Sequence, residues 1–230
     1  MQNISENLSQ VMARIAAAAQ RGGRLPHSVQ LVAVAKTHPP DAVRAAVEAG
    51  AKIIGENYIQ EARAKFEALI HIPAQWHFIG HLQSNKAKYA VRLFHLIHTV
   101  DSLALGAELD RHAGKAGKVQ EVLIQVNVSG EATKSGVSAG QATTLARELA
   151  ELPHIKVKGL MTMPPYFDDP ERARPFFAAL RRLREDIRAQ AIPGVDMMEL
   201  SMGMTGDFEA AIEEGATLVR VGTAIFGGRA

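Results

Sequence analysis

Eight short apolar runs, each followed by a stretch of helical periodicity, are the feature that most restricts how this chain can fold. The runs are QLVAVA (30–35), KIIG (52–55), WHFIG (76–80), LIHTV (96–100), EVLIQVNV (121–128), KVKGLMTM (156–163), MMELS (197–201) and TLVRVG (217–222). Several are apolar throughout rather than alternating, as a strand covered on both faces requires. Ahead of them, residues 1–20 place Ile4, Leu8, Val11, Met12 and Ile15 on one helical face. Eight strands separated by helices predict an α/β fold, a (β/α)8 TIM-type barrel with an extra N-terminal helix, over residues 1–230 as a single domain. A doubly wound open sheet is the alternative.

The helical stretches carry start and stop signals. Pro39 and Pro40 open the first after the initial strand, and Gly50 closes it. Asp101 is a candidate cap for the fourth, and Ser138 with Gln141 has capping-box spacing for the fifth. Asp169-Pro170 opens the sixth, whose inner stripe is Phe176, Phe177, Leu180, Leu183 and Ile187; Gly215 ends the seventh. AAVEAGAKIIGEN (45–57) echoes AAIEEGATLVRVG (210–222), so one kind of αβ unit recurs.

Composition narrows the function classes. A net charge of +2 gives no reason to expect bulk nucleic-acid or anionic-membrane binding. With no cysteine there are no disulfides and no thiolate metal sites. No stretch is long and apolar enough to cross a bilayer, and the N-terminus lacks the pattern of a signal peptide, so the cytoplasm is the default location.

In such a barrel, chemistry sits at the C-terminal ends of the strands. The first strand ends in Lys36, a costly side chain to place beside a core unless it snorkels to water or is held inward for chemistry. The last two strands run into SMGMTGD (201–207) and GTAIFGG (222–228). Ser, Thr and Gly opening a helix leave backbone N–H groups and hydroxyls converging on an anion, which makes Ser201, Gly203, Met204, Thr205, Gly222 and Thr223 candidates for a phosphate cradle. For either loop alone, tight turns and a helix cap suffice; two such loops at these strand ends favour the cradle. Arg220 lies inside an apolar strand and needs either an ion pair, for instance with Glu199, or a ligand. A partly desolvated lysine becomes nucleophilic and condenses with a carbonyl. A phosphate cradle beside it leaves two classes open: pyridoxal 5′-phosphate (PLP), or a sugar phosphate in an aldolase reaction.

Other polar residues read more plainly. His77 and His81 flank Gly80 without a third ligand, which suits a wall or hydrogen-bonding role better than a metal. Glu56 and Asn57 end the second strand as site residues or as a cap, and QSNK (83–86) suits the start of a helix. Met161 and Met163 read as core filler, RRLRED (181–186) as a solvated helix face, and Lys134 as a solvated loop lysine.

VAVAKTHP, IGENYIQE, WHFIGHLQSNK, KVKGLMTM, LSMGMTGDFEAAI and VRVGTAIFG, in this order over nearly the whole chain, resemble the pyridoxal-phosphate homeostasis proteins, barrels similar to the N-terminal domain of alanine racemase. The resemblance implies a fold-type III PLP barrel in which Lys36 forms the internal aldimine. It also implies that Ser201, Met204, Thr205, Gly222 and Thr223 surround the phosphate, that Arg220 faces the pyridine nitrogen and that Asn57 lines the cofactor. Many members have serine where this chain has Thr205; the hydroxyl is kept. Alanine racemases add a second, β-rich domain and a tyrosine from the partner subunit, neither of which is expected here. The resemblance therefore implies a monomeric PLP carrier that buffers or delivers the cofactor, with PLP-dependent apo-enzymes as recipients and indirect effects on amino-acid and keto-acid balance. A weak PLP-dependent racemase or lyase and a Schiff-base aldolase stay as alternatives.

Overall fold

A computed structural model describes residues 3–131 and 133–228. The strands are β1 (Gln30–Val34), β2 (Ile53–Glu56), β3 (Gln75–Phe78), β4 (Leu96–Val100), β5 (Gln120–Asn127), β6 (Val137–Ser138), β7 (Ile155–Met161), β8 (Val195–Ser201) and β9 (Leu218–Val221). All of their pairings are parallel. The order β4-β3-β2-β1-β9-β8-β7-β5 closes on itself through β4 and β5, giving an eight-stranded barrel with the two-residue β6 beside β5. Closure excludes the open doubly wound sheet.

The helices are α1 (Ile4–Arg21), α2 (Pro40–Glu48), α3 (Ile59–Ala68), α4 (Ala87–Leu93), α5 (Leu103–Lys115), α6 (Ala139–Ala150), α7 (Arg174–Ala189), α8 (Phe208–Glu213) and α9 (Thr223–Phe226). The N-terminal helix α1 buries Leu8, Val11 and Ile15; Met12, assigned to the same face from the sequence, is exposed instead. It is fixed to the far end of the chain by Arg14–Glu209 and Arg21–Glu213 ion pairs and by the Asn7 amide donating to the Ile225 carbonyl.

Most sequence punctuation is where expected. Pro39 caps α2 and Pro40 is its first residue. The capping box at Ser138 and Gln141 forms. The cap of α5 is Ser102, whose hydroxyl accepts from Leu105 N–H, not the neighbouring Asp101. Asp169-Pro170 opens a short 3-10 turn (Pro170–Ala173) that feeds α7, where Phe177, Leu180 and Ile187 are buried and Phe176 stacks on Phe167. The internal echo is a true structural repeat. Gly50 donates to the Val47 carbonyl and Ala51 to that of Ala46, and Gly215 and Ala216 make the same bonds to Ile212 and Ala211. Both glycines have positive φ, the backbone state that ends a helix and releases the chain into a strand.

Two apolar layers hold the barrel. Between strands and helices lies the main core; inside the barrel Val32, Ile53, Leu96, Leu123, Met161 and Leu218 pack together. Two residues further along β4 and β9 the interior becomes polar, with His98 and Arg220. No helix among the described residues is long and apolar enough to cross a membrane.

Candidate functional site

A cavity of about 250 Å³ opens at the C-terminal ends of the strands. Its lining includes Lys36, Asn57, Met204, Thr205, Arg220, Gly222 and Thr223, residues from β1, β2, β8 and β9 or the segments that follow them. Two other residues of the expected cradle stand outside it. Ser201 is fully buried with its hydroxyl bonded inside the barrel. Gly203 lies against α8, where an added Cβ would sit 2.6 Å from that of Ala211 and 2.9 Å from Phe208 Cα. Its role is to let the 202–207 loop pass close to the helix. Lys134 is absent from the lining, and Met163, read as core filler, is on the cavity wall.

Lys36 is half-buried at the point where β1 ends. The Ala35 N–H still bonds to the Gly55 carbonyl, and the chain then turns, with His38 N–H donating back to the Ala35 carbonyl. The third residue of this turn, Thr37, has φ 67°. A β-branched side chain there costs about 1–2 kcal/mol, so other contacts must hold it.

Arg220 forms the inner wall. It is 3% exposed, and burial lowers its pKa to about 10. No ion pair with Glu199 forms; the Thr217 hydroxyl donates to Glu199 instead. One terminal nitrogen of Arg220 donates to Ser201 Oγ at 2.6 Å and the other to the Thr162 carbonyl at 2.9 Å. Ser201 Oγ is also 2.9 Å from His98 Nδ1, and His98 Nε2 is 3.0 Å from His77 Nδ1. An arginine only donates, so the Ser201 proton is free to go to His98 Nδ1. His98 then carries its proton on Nε2 and donates to His77. Burial holds both imidazoles neutral: His77 is pushed down to about 3, and His98 well below the ordinary value. His77 thus has a hydrogen-bonding role; His81 is exposed and lines a neighbouring cavity. Among the described residues no group of three His, Asp or Glu side chains could hold a metal.

Several wall residues lie outside those expected from the sequence. Tyr166 and Phe167 come from the connection between β7 and α7, and Asp207 from the start of α8, where its carboxylate accepts from Met204 N–H at 2.6 Å. One polar atom on the wall is unanswered: Asn57 Oδ1 is buried and has no hydrogen-bond partner. Buried polar atoms are almost always bonded, so an orphan on a residue that lines a cavity marks a group left without its partner beside the site. The lining therefore offers an amine, a guanidinium with three unused N–H donors, an orphan amide and two loops beside them, a set suited to a small anionic carbonyl compound.

The family described as alanine racemase, N-terminal domain, matches residues 3–230. Similar proteins include the pyridoxal phosphate homeostasis proteins of Aquifex aeolicus, 47% identical over 99% of both chains, and of Escherichia coli K12, 41% identical over 100% of this chain and 98% of that one. Among solved structures, PipY of Synechococcus elongatus with PLP bound is 40% identical with a TM-score of 0.82, covering 93% of this chain and all of that one. An alanine racemase of Clostridium difficile 630 shares the barrel at 15% identity and a TM-score of 0.75, with 57% of its length covered. A match in sequence over nearly the whole chain, and in the barrel itself, leaves one conclusion: the chain belongs to the family of pyridoxal phosphate homeostasis proteins.

Proposed function

We propose that this protein binds PLP in the cavity at the strand ends, holds it through a Schiff base on Lys36, and buffers or delivers it in the cytoplasm. The observation that carries the reading is the convergence of Lys36, Arg220 and Asn57 on one cavity. The PLP-bound relative at 40% identity supports it. PLP supplies an aldehyde, a phosphate and a pyridine ring. Lys36 would offer the amine for the aldehyde, the segments at 205–206 and 222–223 donors for the phosphate, and Asn57 a polar side chain on the lining. Arg220 can only donate, so beside the ring nitrogen it would leave that nitrogen unprotonated. An unprotonated ring is a weak electron sink, which favours a carrier over a catalyst.

The test is the visible spectrum of the purified protein before and after borohydride, with peptide mapping. A yellow protein whose reduced adduct maps to Lys36 supports the reading, and Lys36→Ala removes the absorbance while the melting temperature stays within about 2 °C. A colourless protein that also ignores added PLP sinks it. A weak PLP-dependent racemase or lyase is the second reading, because Tyr166, a largely exposed residue, is among those lining the cavity. Turnover across a panel of amino acids, lost in Tyr166→Phe, would select it.

A further inference from the structure

The strained turn that carries Lys36 is gripped from one helix. Ala35 C=O belongs to the peptide plane entering Lys36, and it accepts from Lys65 Nζ at 2.6 Å. Thr37 N–H belongs to the plane leaving Lys36, and it donates to Glu61 Oε2 at 2.8 Å. Glu61 and Lys65 are four residues apart on α3, one turn of one face, and their charged ends are 3.6 Å apart. Lys65 is 5% exposed and is anchored from below by Glu56, fully buried at the end of β2, at 2.7 Å. That bond is to Glu56 Oε1; Oε2 has no partner. A buried lysine spent on a backbone carbonyl is an expensive way to stabilise a strand end, since an apolar side chain would fill the space at less cost. What it achieves is a fixed backbone on both sides of one residue, and that residue is Lys36.

We propose that Glu61 and Lys65 are positioning residues for Lys36. They clamp the two peptide planes flanking its Cα, hold Thr37 in its left-handed state and keep the amine aimed into the cavity. The proposal rests on Lys36 being the residue that captures PLP. It extends that reading to a mechanism of pre-organisation in which α3, outside the barrel, sets how fast capture occurs.

The test compares Glu61→Ala, the double variant Glu56→Leu/Lys65→Met and, as control, Arg63→Ala/Glu67→Ala. The double variant replaces a buried ion pair by apolar groups and so keeps the fold while losing the grip on Ala35. The control removes the ion pair between Arg63 and Glu67, which lies on the exposed face of the same helix. Two quantities are measured: the rate at which added PLP is captured on Lys36, read from absorbance and mapped after borohydride, and the exchange rate of the Thr37 amide by NMR in the protein without PLP. Capture is expected to slow at least about tenfold in both test variants and not in the control. Thr37 exchange should accelerate about tenfold or more in Glu61→Ala. Glu61→Gln, which retains an acceptor for the Thr37 N–H, should restore both. Capture within twofold of wild type in the two test variants, or unchanged Thr37 exchange in Glu61→Ala, overturns the proposal. Absence of any adduct on Lys36 in the wild-type protein would instead refute the PLP reading, and Thr37 exchange alone would then decide whether the grip exists.

Discussion

His77 should make this protein sensitive to acid. Its ring is 4% exposed, bonded to a neutral His98, and held at a pKa of about 3 rather than 6.5. A group whose folded pKa is depressed contributes stability above its unfolded pKa and loses it as pH falls. At pH 5 the imidazole is neutral when folded and charged when unfolded, so acid favours unfolding. Between pH 7 and pH 5 this amounts to about 2 kcal/mol for His77 alone. Other groups also titrate in this window; Glu56, raised by burial to about 7, works in the opposite direction. Subtraction isolates the histidine. In His77→Gln the amide keeps a hydrogen bond to His98 and has no proton to gain. Urea unfolding of both proteins at pH 7, 6 and 5 should show the wild type losing about 2 kcal/mol relative to the variant across that range, whatever the constant offset. A pH-independent difference would mean that the imidazole is hydrated or paired with a charge in the folded protein, and the account of a dry, neutral chain behind Arg220 would fall.

Ser201→Ala strips a hydroxyl from between Arg220 and His98 and leaves two buried groups short of a partner. The cost should be about 2–4 kcal/mol, seen as a fall of roughly 5–12 °C in melting temperature; a fall under 2 °C would deny the bonds. Gly80→Ala would put a methyl 2.1 Å from the Asn57 carbonyl oxygen, so this variant should lose more than about 3 kcal/mol or fail to accumulate as folded protein, as circular dichroism would report. A well-folded Gly80→Ala protein would mean that β2 and β3 can separate at the cavity mouth.

What the sequence disclosed follows from what side-chain pattern can encode. Strands buried on both faces announce themselves as apolar runs, and Pro39-Pro40, Ser138 with Gln141 and the glycines at 50 and 215 announce helix ends. Lys36 and Arg220 stood out because a charge in an apolar run has no cheap explanation. His98 sits in an equally apolar run, LIHTV, and the same signal was present there, but a histidine can be neutral and drew no notice. Residue type does not say which way a side chain turns: Ser201 opens the SMGMTGD segment, yet its hydroxyl bonds His98 and Arg220 inside the barrel. Nor does it reveal partners distant in sequence. Asp101 and Ser102 are both good caps on paper, and only the backbone path selects Ser102. Tyr166 and Phe167 lie in a connection whose path over the cavity depends on its anchoring to α7. Glu61 and Lys65 looked like an ordinary charged helix face until the turn after β1 was set against them.

Arg220 is solvated by dipoles, a hydroxyl and a carbonyl, and not neutralised by a bonded carboxylate. The charged side chains on the cavity wall are Lys36, Arg220 and Asp207, two positive against one negative. A cavity wall with that balance is an electrostatic sieve. It prefers anions before any specific contact forms, and a charge enclosed by protein is shielded from mobile salt far less than one on the surface. Selection between a phosphorylated ligand and its dephosphorylated form should therefore persist at ionic strengths that erase long-range steering, a property belonging to the wall of the barrel and not to the net charge of the chain.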